Sequence, residues 1–191
     1  MEFPLKEATP EGWADFVIQD MPSFMQDHAA CEQKAAALAM SFVAKYPDRT
    51  ILVDPMVSLA REELEHFAQV WRLMRKQGLA LSAEHHKDEY INRILKSLRH
   101  GREERLLDRL VMSALVEARG YERFLLLSDV LEGDMKSFYR TLGLSEAGHY
   151  KIFIKIARHY FEEKDLQESI DRIATVESEV MLDVPFGARL H

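Results

Sequence analysis

The chain has 191 residues, of which 47% are hydrophobic, and it carries a formal net charge of −7. This size can bury one substantial core, and no break in composition divides the chain, so we predict a single domain over residues 1–191. The one cysteine excludes an intrachain disulfide and a thiolate-rich zinc site, and no apolar run approaches the roughly 20 residues that cross a bilayer. We therefore expect a cytoplasmic protein without a membrane partner.

Helical periodicity runs through the chain, and few stretches alternate as a β-strand does. Prolines and glycines mark points where helices stop or restart, at Pro22, Pro47, Gly78, Gly101 and Gly143. In chain order, we predict a short helix near 10–20, long helices near 22–45 and 54–77, a shorter helix near 86–99, long helices near 102–131 and 144–163, and a last helix near 165–183. The pattern predicts an all-α four-helix bundle with a long crossover connection and additional flanking helices.

Each long helix carries an acidic side chain on its apolar stripe, where a residue such as leucine is expected. These inward carboxylates are Glu32, Glu63, Glu117 and Glu146. An unpaired buried ion costs several kcal/mol even after the protein relaxes, so four of them in one core need a neutralising partner. Two divalent cations meet this need, because they balance the charge of four carboxylates.

The spacing of two histidines supports a metal site. Glu63 and His66, and likewise Glu146 and His149, form Glu-x-x-His motifs, which place carboxylate and imidazole on one face of a helix. One helix earlier, each motif is preceded by a lone inward glutamate, so the two halves of the chain repeat the same arrangement. This is the ligand pattern of ferritin-like di-iron and di-manganese carboxylate proteins, and the donor set suits either metal.

Four segments that surround these residues resemble the MiaE family of di-iron tRNA hydroxylases. They are residues 31–36 (CEQKAA), 59–67 (LAREELEHF), 117–119 (EAR) and 144–150 (LSEAGHY). The resemblance extends from about residue 10 to the end of the last helix. It implies iron in preference to manganese, with the ligands Glu32, Glu63, His66, Glu117, Glu146 and His149.

The resemblance also implies a reaction and its partners. The enzyme would be a non-haem monooxygenase that uses dioxygen to hydroxylate the isopentenyl group of 2-methylthio-isopentenyl adenosine, beside the anticodon of tRNA. The tRNA anticodon arm and an unidentified electron donor would be the partners, and the oligomeric state stays open. Tyr121 and Tyr150 are candidate hydrogen-bond donors or redox relays next to the metal ligands.

A locally basic stretch runs from Arg93 to Arg109, from the link after the second long helix into the third, in a chain that is acidic overall. Its candidate contacts with tRNA phosphates are Arg93, Lys96, Arg99, His100 and Arg102. A solvated helix face is the alternative interpretation. Two later arginines, Arg119 and Arg123, are expected to balance acidic neighbours on helix surfaces.

Three other functions remain open at this point. The same metal site could belong to an iron-handling or peroxide-consuming ferritin-like protein. It could belong to another di-iron oxidase or oxygenase with a small metabolite as substrate, which the acidic net charge favours. Alternatively, arginines could pair with the core carboxylates in a helical interaction module that binds no metal.

Overall fold

The computed structural model describes residues 3–82, 88–185 and 187–191, and the regular elements of these residues are all helices. They are α1 (Trp13–Gln19), α2 (Met21–Lys45), α3 (Thr50–Lys76), α4 (Glu89–Ser97), α5 (Arg102–Val130), α6 (Gly133–Tyr160) and α7 (Glu163–Asp183). The helix predicted at 86–99 corresponds to α4, while residues 86 and 87 lie outside the described residues. None of the described helices combines the length and apolar character needed to cross a membrane.

The chain forms two compact units. Unit 1 comprises Met1–Asp15, His86–Phe186 and His191, and unit 2 comprises Phe16–His85 and Gly187–Leu190. Unit 1 thus contains α4 to α7, and unit 2 contains α2 and α3. Each unit has one pair of long helices joined by a short connection, in agreement with the repeated arrangement in the sequence. The single domain over residues 1–191 stays a prediction.

In unit 2, local sequence signals explain where the two long helices begin and end. The Asp20 carboxylate accepts a hydrogen bond from the Ser23 amide and so caps α2, whose first turn contains Pro22. The next helix, α3, begins at Thr50 rather than near residue 54 and contains Pro55 in its second turn, where the proline ring removes one i→i−4 hydrogen bond of the helix. Gly78 follows α3 with φ of +71°, a conformation that glycine adopts without strain.

In unit 1, the structure corrects the predicted start of the fourth long helix. We expected this helix near 144–163 because Gly143 suggested a break, but α6 begins at Gly133 and continues through Gly143. A Cβ atom at Gly143 would lie 3.3 Å from Leu125 Cδ2 and 3.3 Å from Phe124 Cβ. Gly143 therefore allows α5 and α6 to pack closely, and the actual turn is at Gly133, where φ is +58°.

A buried network of charged groups connects α4, α5 and α7 within unit 1. The Arg119 guanidinium donates to both carboxylate oxygens of Glu177, at 2.9 and 3.1 Å, and the Tyr90 hydroxyl donates to the same carboxylate at 2.7 Å. Burial, followed by the nearby charge of Glu177, raises the pKa of Tyr90 well above its usual range. Arg119 has no exposed surface, so the prediction that this arginine lies on a helix surface was wrong.

The same prediction was wrong for Arg123. Its side chain is buried, with the guanidinium 5.1 Å from the centre of the Trp13 ring and Nε 3.3 Å from Thr9 Oγ1. Burial lowers the pKa of Arg123 to about 10. The hydroxyl of Thr9 in turn donates to the Glu122 carboxylate at 2.6 Å. These contacts hold the segment before α1 against α5.

A second buried carboxylate, Asp108, joins the start of α5 to α7 and to the segment after α4. It accepts hydrogen bonds from the Arg99 amide at 2.8 Å, from Arg99 Nη2 at 2.7 Å and from Ser169 Oγ at 2.9 Å. Arg172 Nη2 lies 2.6 Å from Asp108 Oδ2. Burial by itself raises the pKa of Asp108, but the bonds from Arg99, Ser169 and Arg172 outweigh it, so the net pKa is lowered.

The lowered pKa predicts an acid-dependent contribution to stability. A carboxylate whose folded-state pKa is depressed stabilises the protein fully above its unfolded-state pKa of about 3.9, and this contribution is lost as pH falls through the folded-state pKa. We expect Asp108→Asn to lower the free energy of unfolding by about 2–4 kcal/mol at pH 7, and by less as the pH approaches 3. Urea unfolding measured across this range tests the prediction. Asp134→Asn, at an exposed position, is the control. A loss of unfolding free energy in Asp108→Asn that does not change with pH would contradict the prediction.

Candidate metal centre

In unit 2, the pairing of α2 with α3 brings together three of the predicted ligands. One possible ligand atom from each of Glu32, Glu63 and His66 lies within 4.8 Å of the others. His66 Nδ1 is 3.3 Å from Glu63 Oε2 and 3.8 Å from Glu32 Oε2. All three residues are buried, and Glu63 is only 1% exposed. The three side chains form what we call the unit 2 half-site.

In unit 1, α5 and α6 bring together the other three predicted ligands. One possible ligand atom from each of Glu117, Glu146 and His149 lies within 4.8 Å of the others. His149 Nδ1 is 3.2 Å from Glu146 Oε2 and 3.9 Å from Glu117 Oε2. Glu146 and His149 are buried, and Glu117 is partly exposed. We call this set the unit 1 half-site, and its distances reproduce those of the unit 2 half-site to about 0.1 Å.

The donor atoms fit a metal. Each half-site holds two carboxylates and one imidazole, and two carboxylates this close repel one another unless a cation or a proton lies between them. Oxygen donors with imidazole suit iron or manganese, whereas thiolates are not part of either half-site. The structure thus places together, within each unit, the residues that sequence spacing selected.

An additional imidazole, for which we made no prediction from the sequence, lies next to the unit 2 half-site. His28 is fully buried, and its Nε2 lies 2.6 Å from Glu32 Oε1. The signal was present in the sequence, because His28 precedes Glu32 by four residues and so shares its helix face. In unit 1, the residue four positions before Glu117 is the buried Ser113. The two half-sites therefore differ in the side chain that accompanies the lone glutamate.

The two predicted tyrosines lie in an aromatic cluster of unit 1. The rings of Tyr121 and Tyr150 both contact the Phe3 ring edge to face. The centre of the Phe3 ring lies 5.0 Å from that of Tyr121 and 4.8 Å from that of Tyr150. Burial raises the pKa of Tyr150. Tyr121 follows Glu117 by one helical turn, and Tyr150 is adjacent to His149. A role in hydrogen bonding or redox relay for these tyrosines stays a prediction.

Three of the five predicted tRNA contacts form ion pairs within the chain. Arg93 pairs with Asp183 at 2.6 Å, and Arg102 with Glu103 at 3.3 Å. Arg99 pairs with the buried Asp108 and is part of the structural network described above. Lys96 and His100 are exposed. The basic stretch thus offers less uncompensated charge than its composition indicates.

A family model described as "tRNA-(MS[2]IO[6]A)-hydroxylase (MiaE)" matches residues 2–191. The chain belongs to the MiaE family. A relative from Pseudomonas putida, named tRNA 2-(methylsulfanyl)-N(6)-isopentenyladenosine(37) hydroxylase, is 35% identical to this MiaE chain over 183 residues, which cover 96% of the chain and 89% of the relative. A relative from Salmonella typhimurium with the same name is 28% identical over 232 aligned positions, covering 96% and 85%.

A solved structure supports the fold assignment of this MiaE chain. It is described as Protein 43 with aldehyde deformylating oxygenase activity from Synechococcus, and it matches with a TM-score of 0.94 and 27% identity. The match covers 100% of this chain and 96% of the other. The predicted ferritin-like helical fold is therefore confirmed.

Proposed function

We propose that this chain is an oxygen-dependent tRNA hydroxylase that acts on the isopentenyl side chain of 2-methylthio-isopentenyl adenosine beside the anticodon. The observation that carries the proposal is the pair of matching carboxylate–imidazole half-sites in a chain that belongs to the MiaE family over its whole length. The names of the Pseudomonas and Salmonella relatives supply the substrate.

We further propose that the two half-sites together hold two iron ions, with dioxygen as co-substrate. The ligands would be Glu32, Glu63, His66, Glu117, Glu146 and His149. Two divalent cations balance the four carboxylates, and the neutral imidazoles add no charge. Family membership favours iron over manganese, since the donor set suits both. When bound, the two ions supply the redox chemistry with dioxygen.

The residues of the chain hold and orient this chemistry. Glu63, Glu146 and His149 are buried, so the half-sites are kept largely free of bulk water. Insertion of one oxygen atom into a C–H bond releases the other as water, which requires two electrons and two protons from outside. An external electron donor is therefore a necessary partner, and a tRNA substrate fits a cytoplasmic location.

The test is a mass-spectrometric analysis of modified nucleosides. Isopentenylated tRNA is incubated with iron-loaded protein, a chemical reductant and air, then digested to nucleosides. We expect the isopentenyl adenosine to gain one oxygen atom, and this atom to be heavy when isotopically heavy dioxygen replaces air. No gain from a protein that holds two irons per chain would contradict the proposal.

A second candidate function follows from the solved structure, which is described by an aldehyde deformylating oxygenase activity. Under this alternative, the same iron-loaded protein would consume an aldehyde and leave the tRNA nucleoside unchanged. Parallel incubations with the aldehyde and with the tRNA distinguish the two functions. We favour the tRNA reaction because both sequence relatives are named for it. Each aligns with 96% of this chain and with 89% or 85% of its own length.

The contact between His28 and Glu32 predicts different behaviour of the two half-sites. Residues that orient a metal ligand typically contribute 10–100-fold to metal affinity. We therefore expect His28→Leu to weaken binding of one metal equivalent by about this factor and to leave the other unchanged. Cobalt(II) titration without oxygen, followed by absorbance, measures the two equivalents separately.

Two further variants serve as controls for this prediction. Ser113→Ala changes the corresponding buried position of unit 1 and should leave both affinities unchanged. His28→Gln replaces the imidazole nitrogen beside Glu32 with an amide N–H donor and should recover part of the lost affinity. Equal weakening of both equivalents in His28→Leu would indicate a general disturbance of the helix pair and contradict the assignment.

A further inference from the structure

The solvent-facing side of α6 carries a set of cations that is separate from the basic stretch near α4. The exposed members are Lys136, Arg140, Lys151 and Lys155, which we call the α6 cationic face. The helix contains five Lys or Arg residues against two Asp or Glu residues, so its formal net charge is +3 in a chain of net charge −7. One of the two acids is the buried Glu146, which lies on the opposite side of the helix.

The spacing of these residues places them on one side of the helix. Lys136 and Arg140 are four residues apart, as are Lys151 and Lys155, and positions between the pairs continue the same stripe through the exposed Leu144. At 1.5 Å per residue, the stripe extends about 28 Å along the helix. This length is sufficient to contact several phosphates of a nucleic-acid strand.

The charges of this face are available for a partner. Across residues 3–82, 88–185 and 187–191, the structure shows no ion pair for the side chains of Lys136, Arg140, Lys151 or Lys155. The basic stretch near α4 differs in this respect, because Arg93, Arg99 and Arg102 all face carboxylates. Further along α6, Arg158 pairs with Glu163, but both side chains are exposed and such pairs contribute little.

An exposed glycine lies on the same face. A Cβ atom added to Gly148 would meet nothing within 4 Å, so the packing of the chain does not require a glycine there. Glycine inside a helix costs about 1 kcal/mol relative to alanine. Gly148 precedes the buried His149 of the unit 1 half-site, so a ligand can approach the helix backbone closely near the proposed metal ligands.

We propose that the α6 cationic face binds phosphates of the tRNA anticodon arm. The inference rests on the proposed function and specifies where the RNA contacts unit 1. Separate, unpaired cations along a helix match a backbone that carries one negative charge per nucleotide. The face is on the helix that supplies Glu146 and His149, so phosphate contacts there would fix the register of the RNA relative to the unit 1 half-site.

The test compares two double variants that remove the same charge. Lys151→Gln with Lys155→Gln alters the α6 cationic face, and Lys96→Gln with Arg102→Gln alters the basic stretch predicted from sequence. Binding of an anticodon stem-loop RNA that contains isopentenyl adenosine is measured over a series of salt concentrations. We expect the slope of log affinity against log salt to decrease in magnitude by about 1.4 for the α6 variant, from 0.7 per lost phosphate contact, and to change little for the other.

Metal stoichiometry and thermal midpoint, which should equal those of the wild type in both variants, exclude a folding defect. An unchanged slope for the α6 variant, or a larger loss for the Lys96 and Arg102 variant, would overturn the inference. So would slower reduction by an acidic donor protein with unchanged RNA binding, which would assign the face to the donor. If the wild type hydroxylates the tRNA and the α6 variant binds RNA as the wild type does, only the assignment of the α6 cationic face is rejected. If RNA binds through α6 but is not hydroxylated, only the proposed function is rejected.

Discussion

Replacing Glu63 with alanine is expected to prevent the chain from holding two irons and to reduce hydroxylation by more than about 100-fold. Even residues that only hydrogen-bond to a metal ligand typically contribute 10–100-fold to metal affinity or activity. Glu63 is 1% exposed, and its Oε2 lies 3.3 Å from His66 Nδ1, so the substitution removes a buried carboxylate from the unit 2 half-site. Iron per chain after loading and the mass-spectrometric nucleoside assay measure the two effects.

The control for this variant is Glu62→Ala on the same helix. Glu62 is exposed, so its removal should leave iron content and product unchanged. The metal-free Glu63→Ala protein should be at least as stable as metal-free wild type, because the substitution removes one charge from a buried group of like charges. Full activity of Glu63→Ala, or unfolding of its metal-free form, would contradict the assignment of Glu63 as a ligand.

The second large effect is expected on stability. Arg119→Met should lower the free energy of unfolding by about 3–5 kcal/mol, because it leaves the buried Glu177 carboxylate without its main cation. For a chain of this size, such a loss corresponds to a decrease of roughly 6–20 °C in the melting temperature. Urea unfolding and a thermal scan of the metal-free protein measure both quantities.

Two variants distinguish the buried pair from an ordinary surface pair. Arg158→Met breaks an ion pair with Glu163 in which both side chains are exposed, so its cost should be small compared with that of Arg119→Met. The double variant of Arg119→Met with Glu177→Met removes both buried charges and should regain a large part of the lost stability. A double variant that is as unstable as the sum of the single variants would show that the two charges do not interact.

The proposed ligands could be found from the sequence because their signals are local. Carboxylate and imidazole three residues apart on a helix face the same way in any long helix, so Glu63 with His66, and Glu146 with His149, needed no tertiary information. Their burial followed from the apolar stripes that they interrupt. The all-α class and the approximate helix positions rest on the same periodicity.

Contacts between distant residues could not be read in this way. Gly143 reads as a helix break by itself, yet it lies inside α6 because Phe124 and Leu125 of α5 pack against it. Arg119 reads as a surface arginine until α7 places Glu177 beside it. In both cases the deciding neighbour belongs to another helix.

The sequence by itself therefore determined the helical class, the family resemblance and the repeated Glu-x-x-His motifs, because each depends on spacing within one helix. Only the tertiary structure decided which cations are available to a partner. The arginines near α4 are drawn into ion pairs by Asp108 and Asp183, whereas the lysines of α6 face solvent. Whether a charge is compensated depends on carboxylates brought near it by folding, and helix spacing does not encode that proximity.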